Sequence, residues 1–220
     1  MPYVAVDDRK ILDPLVDSLA QEIADELPKQ NNDAKLSTLY KGRFIELSLA
    51  IKDLINGKKI KGNIKGNINI QKLAQAIYDL DRRYNYSAAF NGELNYSITR
   101  LIQLVPKKLV EKGIWKEEFR YWIYSQTAGA LTRTAMEMDK LGSKRVSKDE
   151  DWLYDGLSGV FEDIKGEYKR RVNTAYEAVQ IKKFGDCYDT PYHTDVIDIK
   201  DTSGNVIGWQ ETMKDLRKTK

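Results

Sequence analysis

The stretch that decides the fold runs from Gly92 to Val105 and reads GELNYSITRLIQLV. Leu94, Ile98, Leu101 and Val105 recur at three- and four-residue spacing, which puts them on one stripe of an α-helix. Asn95, Thr99 and Gln103 fall along a polar flank, with Tyr96 and Arg100 beside them. The Asn91-Gly92 pair marks the start, and Pro106, which has no amide hydrogen to donate, predicts a stop or a bend.

Working back toward the N-terminus, Leu73, Ala76, Ile77 and Leu80 predict a helix over Ile70 to Arg83. Before it lies NGKKIKGNIKGNINI, in which Ile-Lys-Gly-Asn occurs at 60–63 and again at 64–67. Lys58, Lys59, Lys61 and Lys65 make this loop a candidate basic contact, although its spacing is not that of a phosphate-binding loop. Leu36, Leu39, Tyr40, Phe44, Leu47 and Ile51 predict a helix over about Ala34 to Ile55, with Asn56-Gly57 as its stop. Ile11, Leu12, Leu15, Val16, Leu19, Ile23 and Leu27 predict a first helix from about Asp7 to Leu27, with Pro14 placed in its first turn.

Toward the C-terminus, Lys112 to Leu141 carries Trp115, Phe119, Trp122 and Ile123 on one side, then the small run Ala128-Gly129-Ala130, which suits the close approach of another helix. The polar stretch 142–152 breaks the pattern. Leu153 to Phe184 is the longest helical pattern, and its Gly156, Gly159 and Gly166 predict a kink or a tight crossing. From Asp186 on, DVIDIK, DTSGN and VIGWQ alternate around a turn, as a β-hairpin does. The expected architecture is therefore mainly α, a multi-helix bundle with a short C-terminal β-hairpin. Residues 1–186 form the helical domain and 187–220 the hairpin and tail.

Composition excludes several functions. The 220 residues carry 36 Lys+Arg against 33 Asp+Glu, a net +3, so no global field draws the chain onto nucleic acid and such binding has only weak local support. One cysteine, Cys187, makes no internal disulfide, and with the single His193 it cannot build a His/Cys zinc site. There is no long apolar run and no signal-peptide pattern at MPYVAVDDRK, which points to the cytosol and away from membranes.

Three stretches together resemble a small uncharacterised helical family of bacteria and phages: MPYVAVDDRKILDPLVDSLAQEI at 1–23, GELNYSITRLIQL at 92–104, and GLSGVFEDIKGEYKRRVNTAYEAVQIKKFGDCY at 156–188. The resemblance is carried most closely by Leu94-Asn95-Tyr96, Ile98-Thr99, Glu167-Tyr168, Arg170-Arg171, Tyr176-Glu177 and Gly185-Asp186. It implies a helical fold and a phage-linked context, with the host cytosol as location if phage-encoded, and no activity. The family's members are much shorter, so that about 25–90 and 111–151 read as helical insertions and the hairpin as an extension.

The chemistry is argued by exclusion. Walker, Rossmann and HExxH motifs are absent, and a nucleophilic site would have to use the unsupported His193. The acids Glu117-Glu118, Glu137 with Asp139, and Asp149-Glu150-Asp151 do not form matched pairs across strong helices, so a magnesium-dependent nucleotide hydrolase ranks last. Binding without turnover and without a cofactor or metal is the expected mode. Were the Gly92 helix and the Glu167–Glu177 helix neighbours, Asn95, Tyr96, Thr99 and Arg100 would face Tyr168, Arg170, Arg171 and Tyr176, a grouping suited to an anionic nucleotide-type ligand, cyclic ones included. The competing reading is an internal network in which Glu167 and Glu177 neutralise the arginines. The first expectation is a phage-type binding protein engaging a host or viral macromolecule, with a protein partner or a homo-oligomer. The second is a protein that sequesters a nucleotide-type ligand.

Overall fold

The computed structural model describes residues 4–27, 33–57, 67–83, 90–114, 120–144, 151–174, 192–200, 202 and 206–215. Among the described residues six α-helices occupy the first of two units, Met1–Tyr176, which is all-helical there. They are α1 (Val6–Glu26), α2 (Asp33–Ile55), α3 (Ile68–Arg83), α4 (Phe90–Glu111), α5 (Arg120–Ser143) and α6 (Asp151–Tyr168). A π-helical turn, Lys169–Asn173, continues α6, and there the Thr174 hydroxyl donates to the Lys169 carbonyl at 3.1 Å.

The apolar stripes set the packing. α1 packs on α3 and α4, α2 on α3 and α5, α5 on α6, and α4 meets both α3 and α6. Leu12, Val16, Leu19 and Ile23 of α1 are fully buried, as are Leu36, Tyr40, Phe44, Leu47 and Ile51 of α2. The Tyr40, Phe44 and Phe161 rings stack at 5.4 and 5.7 Å between centroids, which ties α2 to α6. Around this core Arg43 of α2 is held by Glu22 at 3.1 Å, Glu46 at 3.0 Å, and Glu26. Lys52, itself buried, donates to the Tyr154 hydroxyl at 3.1 Å and lies over that ring.

Several helix limits differ from those the sequence predicts. α4 starts at Phe90, so Asn91-Gly92 lies inside its first turn, and it runs through Pro106 to Glu111. A single missing amide hydrogen removes one backbone bond, and the burial of Val105 and Leu109 on either side holds the helix across it. Its true end is Gly113, at a φ of +66°, where the Gly113 amide bonds Val110 at 2.9 Å and the Ile114 amide bonds Leu109 at 3.0 Å. Lys112 thus belongs to the end of α4, and the next helix begins only at Arg120.

α3 begins at Ile68, two residues before the predicted start. The Asn67 carboxamide oxygen accepts from the amides of Asn69 at 3.0 Å and Ile70 at 3.3 Å and so caps the helix. α6 passes into the π-turn beyond its glycines, and its predicted run past Thr174 lies outside the described residues. The lysines 58, 59, 61 and 65, together with Trp115, Phe119, Tyr176, Glu177 and Cys187, also lie outside them. No described helix is long and apolar enough to cross a membrane.

Candidate functional site

A cleft of about 650 Å³ opens between α4 and α6, within the size range of small-ligand sites, about 300–1,000 Å³. On α4 its wall is Asn91, Asn95, Thr99 and Gln103, one residue per helical turn, with Gly92 beside them. On α6 it is Gly159, Asp163 and Glu167, again four apart, with Gly156 and Val160, and Arg171 follows from the π-helical turn. Two stripes of like period therefore face each other. The gap between them is open at two glycines: a side chain added at Gly92 or Gly159 would meet nothing within 4 Å.

The electrostatics of the cleft are uneven. Arg170 grips Glu167 with two donors, at 3.0 and 2.9 Å, and Arg171 donates to the same carboxylate through its Nε. The hydrogen bond from Arg170, reinforced by Arg171, pulls the Glu167 carboxyl down to about 2, so it stays ionised. Among the lining residues themselves, Asp163 and Glu167 stand against the single Arg171. Farther along α6, Asp163 is exposed and makes no ion pair or hydrogen bond among the described residues. On the opposite wall the Thr99 hydroxyl donates to the Asn95 oxygen at 3.3 Å, while the Asn91 side-chain oxygen is buried without a partner.

The predicted site residues divide by helical phase. Asn95, Thr99 and Arg171 line the cleft. Tyr96 and Arg100 each sit one residue, about 100° of rotation, past Asn95 and Thr99 and face α1 instead. The Tyr96 hydroxyl donates to Asp13 at 2.8 Å, Arg100 lies 3.5 Å from that carboxylate, and Arg9 lies over the Tyr96 ring at 5.5 Å. Burial, then the bond to Asp13, pushes the Tyr96 phenol up. Tyr168 meets the edge of Tyr124 on α5, and its burial raises its pKa strongly. Arg170 is turned onto Glu167. Tyr176 and the four loop lysines lie outside the described residues.

The lining residues that were not among the candidate site residues are Asn91, Gly92, Gln103, Gly156, Gly159, Val160, Asp163 and Glu167. The spacing of four shared by 91-95-99-103 and 159-163-167-171 is a signal present in the sequence, but it is shared by any solvated helix face. Among the described residues no group of three or more His, Cys, Asp or Glu is placed to hold a metal ion. Of the acids considered for that role, Glu137 pairs with Lys41 at 3.6 Å.

A fold of six helices built on this core defines an all-helical domain of uncharacterised type. The chain belongs to the family described as Domain of unknown function (DUF6899), whose model matches residues 1–187. That span crosses both segments read as insertions and stops before 188–220. A search of the curated proteins and one of the solved structures found no match.

Proposed function

We propose that this chain is a binding protein that captures a nucleotide-type ligand in the α4/α6 cleft and does not turn it over. The observation that carries this reading is the cleft itself, in which the polar flank of α4 faces Arg171 across a glycine-lined gap. The guanidinium supplies a planar fork for an anionic group, the amides and hydroxyl supply paired donors and acceptors, and Val160 with the glycines supplies a flat apolar surface. Thermal shift of the full chain against nucleoside mono- and triphosphates and cyclic nucleotides, with and without magnesium, tests it. Stabilisation without product formation is expected, and Gly159→Leu, which fills open space, should remove it while the far-UV circular dichroism is kept. Magnesium-dependent product would replace the reading with hydrolysis. A flat panel would remove it.

The second reading, an interaction protein, is favoured by the C-terminal segment. There we infer a hairpin, supported by the alternation of apolar and polar residues and by the antiparallel register of Tyr192–Lys200 on Val206–Asp215, from Tyr192 opposite Asp215 to Lys200 opposite Val206. Two strands are marginal alone, and their outer edges suit pairing with a partner protein or a second copy. Light scattering on the full chain reads the copy number.

A further inference from the structure

We propose that Glu93 is a proton-operated latch on the first turn of α4, closed while its carboxyl is protonated and opened by ionisation, and that its opening frees the Asn91 end of the cleft. This holds whatever the cleft captures. Glu93 is only 7 % exposed, one of its oxygens is buried without a hydrogen-bond partner, and no ion pair reaches it among the described residues.

Its neighbours favour the neutral form. From α1 the carboxyl faces Asp8, which Arg83 of α3 holds at 3.1 Å. From α3 it faces Asp81, whose carboxylate accepts the Phe90 amide at 2.6 Å. Toward α6 the same turn presents Asn91, whose side-chain amide lies 3.7 Å from where a Gly156 Cβ would stand. Burial acts on Glu93 most strongly, and the charges of Asp81 and Asp8 act in the same direction. Only the Glu93 amide, from which its own carboxyl accepts, favours the ionised form, and burial outweighs it.

An ionised carboxylate is costly to keep buried beside an unmade bond, so it is relieved where the structure gives way most easily. Here that is the helix end. The turn Phe90-Asn91-Gly92-Glu93 contains Gly92, a poor helix former with nothing within 4 Å of an added Cβ, and helix termini open more readily than interiors. The buried Phe90 ring and the Phe90 amide on Asp81 hold the turn shut while Glu93 is neutral. Once the turn opens, Asn91 leaves Gly156, and the cleft is loosened at that end.

Linkage sets the sign. In the open turn Glu93 is hydrated and titrates at the ordinary 4.5, whereas in the closed turn it titrates higher. Opening is therefore independent of pH below the ordinary value, grows as pH rises between the two, and levels off above the closed-state value.

Backbone amide exchange by NMR on the full chain from pH 5 to pH 8, corrected for intrinsic rates, tests this together with a carbon-13 titration of the Glu93 carboxyl. The amides of Leu94 to Ser97, which bond back to the first turn, should lose protection by about threefold or more over that range. They should also stay less protected than those of Phe44 to Leu47 on α2. The Glu93 carboxyl should titrate above 4.5, and the Asn91 side-chain amide resonance should move over the same range. In Glu93→Gln neither the protection of Leu94 to Ser97 nor the Asn91 resonance should change with pH. If wild-type Glu93 titrates at or below 4.5, or if Leu94 to Ser97 are equally protected at pH 5 and pH 8, the latch is overturned without recourse to the variant. Exchange of Phe44 to Leu47 as fast as that of Leu94 to Ser97 would make the opening global and overturn it too. A wild-type Asn91 resonance that stays fixed while Glu93 titrates would overturn the link to the cleft.

Discussion

The Glu93 carboxyl of α4 is only 7 % exposed, and one of its oxygens has no hydrogen-bond partner. Burial pushes its pKa up from the ordinary 4.5, and the neighbouring charges of Asp81 and Asp8 push it further. A carboxyl whose folded pKa lies above its unfolded one contributes stability in full below the unfolded value, and that contribution is lost as pH rises through the folded value. Glu93→Gln keeps the volume and removes the charge. Urea unfolding should therefore show a higher midpoint for the variant at pH 8 and little difference at pH 4; equal midpoints at pH 8 would mean that Glu93 is ionised without cost. Nothing in the sequence marks Glu93 for this role. The shift depends on tertiary packing, which buries Glu93 and brings Asp8 of α1 and Asp81 of α3 near it.

Among the elements, α6 shows how much a sequence pattern leaves open. Its glycines predict a kink or a tight crossing, and both readings follow from the absence of a side chain. Gly159 instead borders an opening, with nothing within 4 Å of an added Cβ. Alanine there adds no contact that must give way and lowers the entropy of the unfolded chain, so Gly159→Ala should stabilise by about 0.5–1 kcal/mol. Thermal unfolding checks it, and a fall in the midpoint would place hidden contact at this wall. α4 offers the complementary case. Its apolar stripe is legible because four residues repeat at helical spacing, yet its passage through Pro106 is not, since that depends on Leu109 being buried.

At the scale of the molecule, the buried core of the described residues runs from Val4 to Ile164, within Met1–Tyr176. A chain ended after Tyr176 should keep cooperative unfolding and the helical circular dichroism of the full protein, because the core side chains of the described residues all precede it. Loss of cooperativity on that truncation would show that 177–220 is needed to complete the fold. The same scale explains the candidate site. Asn95, Thr99 and Arg171 meet because α4 lies against α6, whereas Tyr96 and Arg100, adjacent in sequence to two of them, are drawn to Asp13 by α1.

The sequence by itself determined which segments are helical and which face of each is apolar, because helical spacing and the burial of large apolar side chains act locally on every turn. It also held the two period-of-four stripes that border the cleft. Only the tertiary structure decided that these stripes face each other and that open space, not a tight helix crossing, lies at Gly159. The reason is physical: a helix presents each residue in a direction fixed to within its 100° step, but which neighbour occupies that direction is settled by the packing of the whole core.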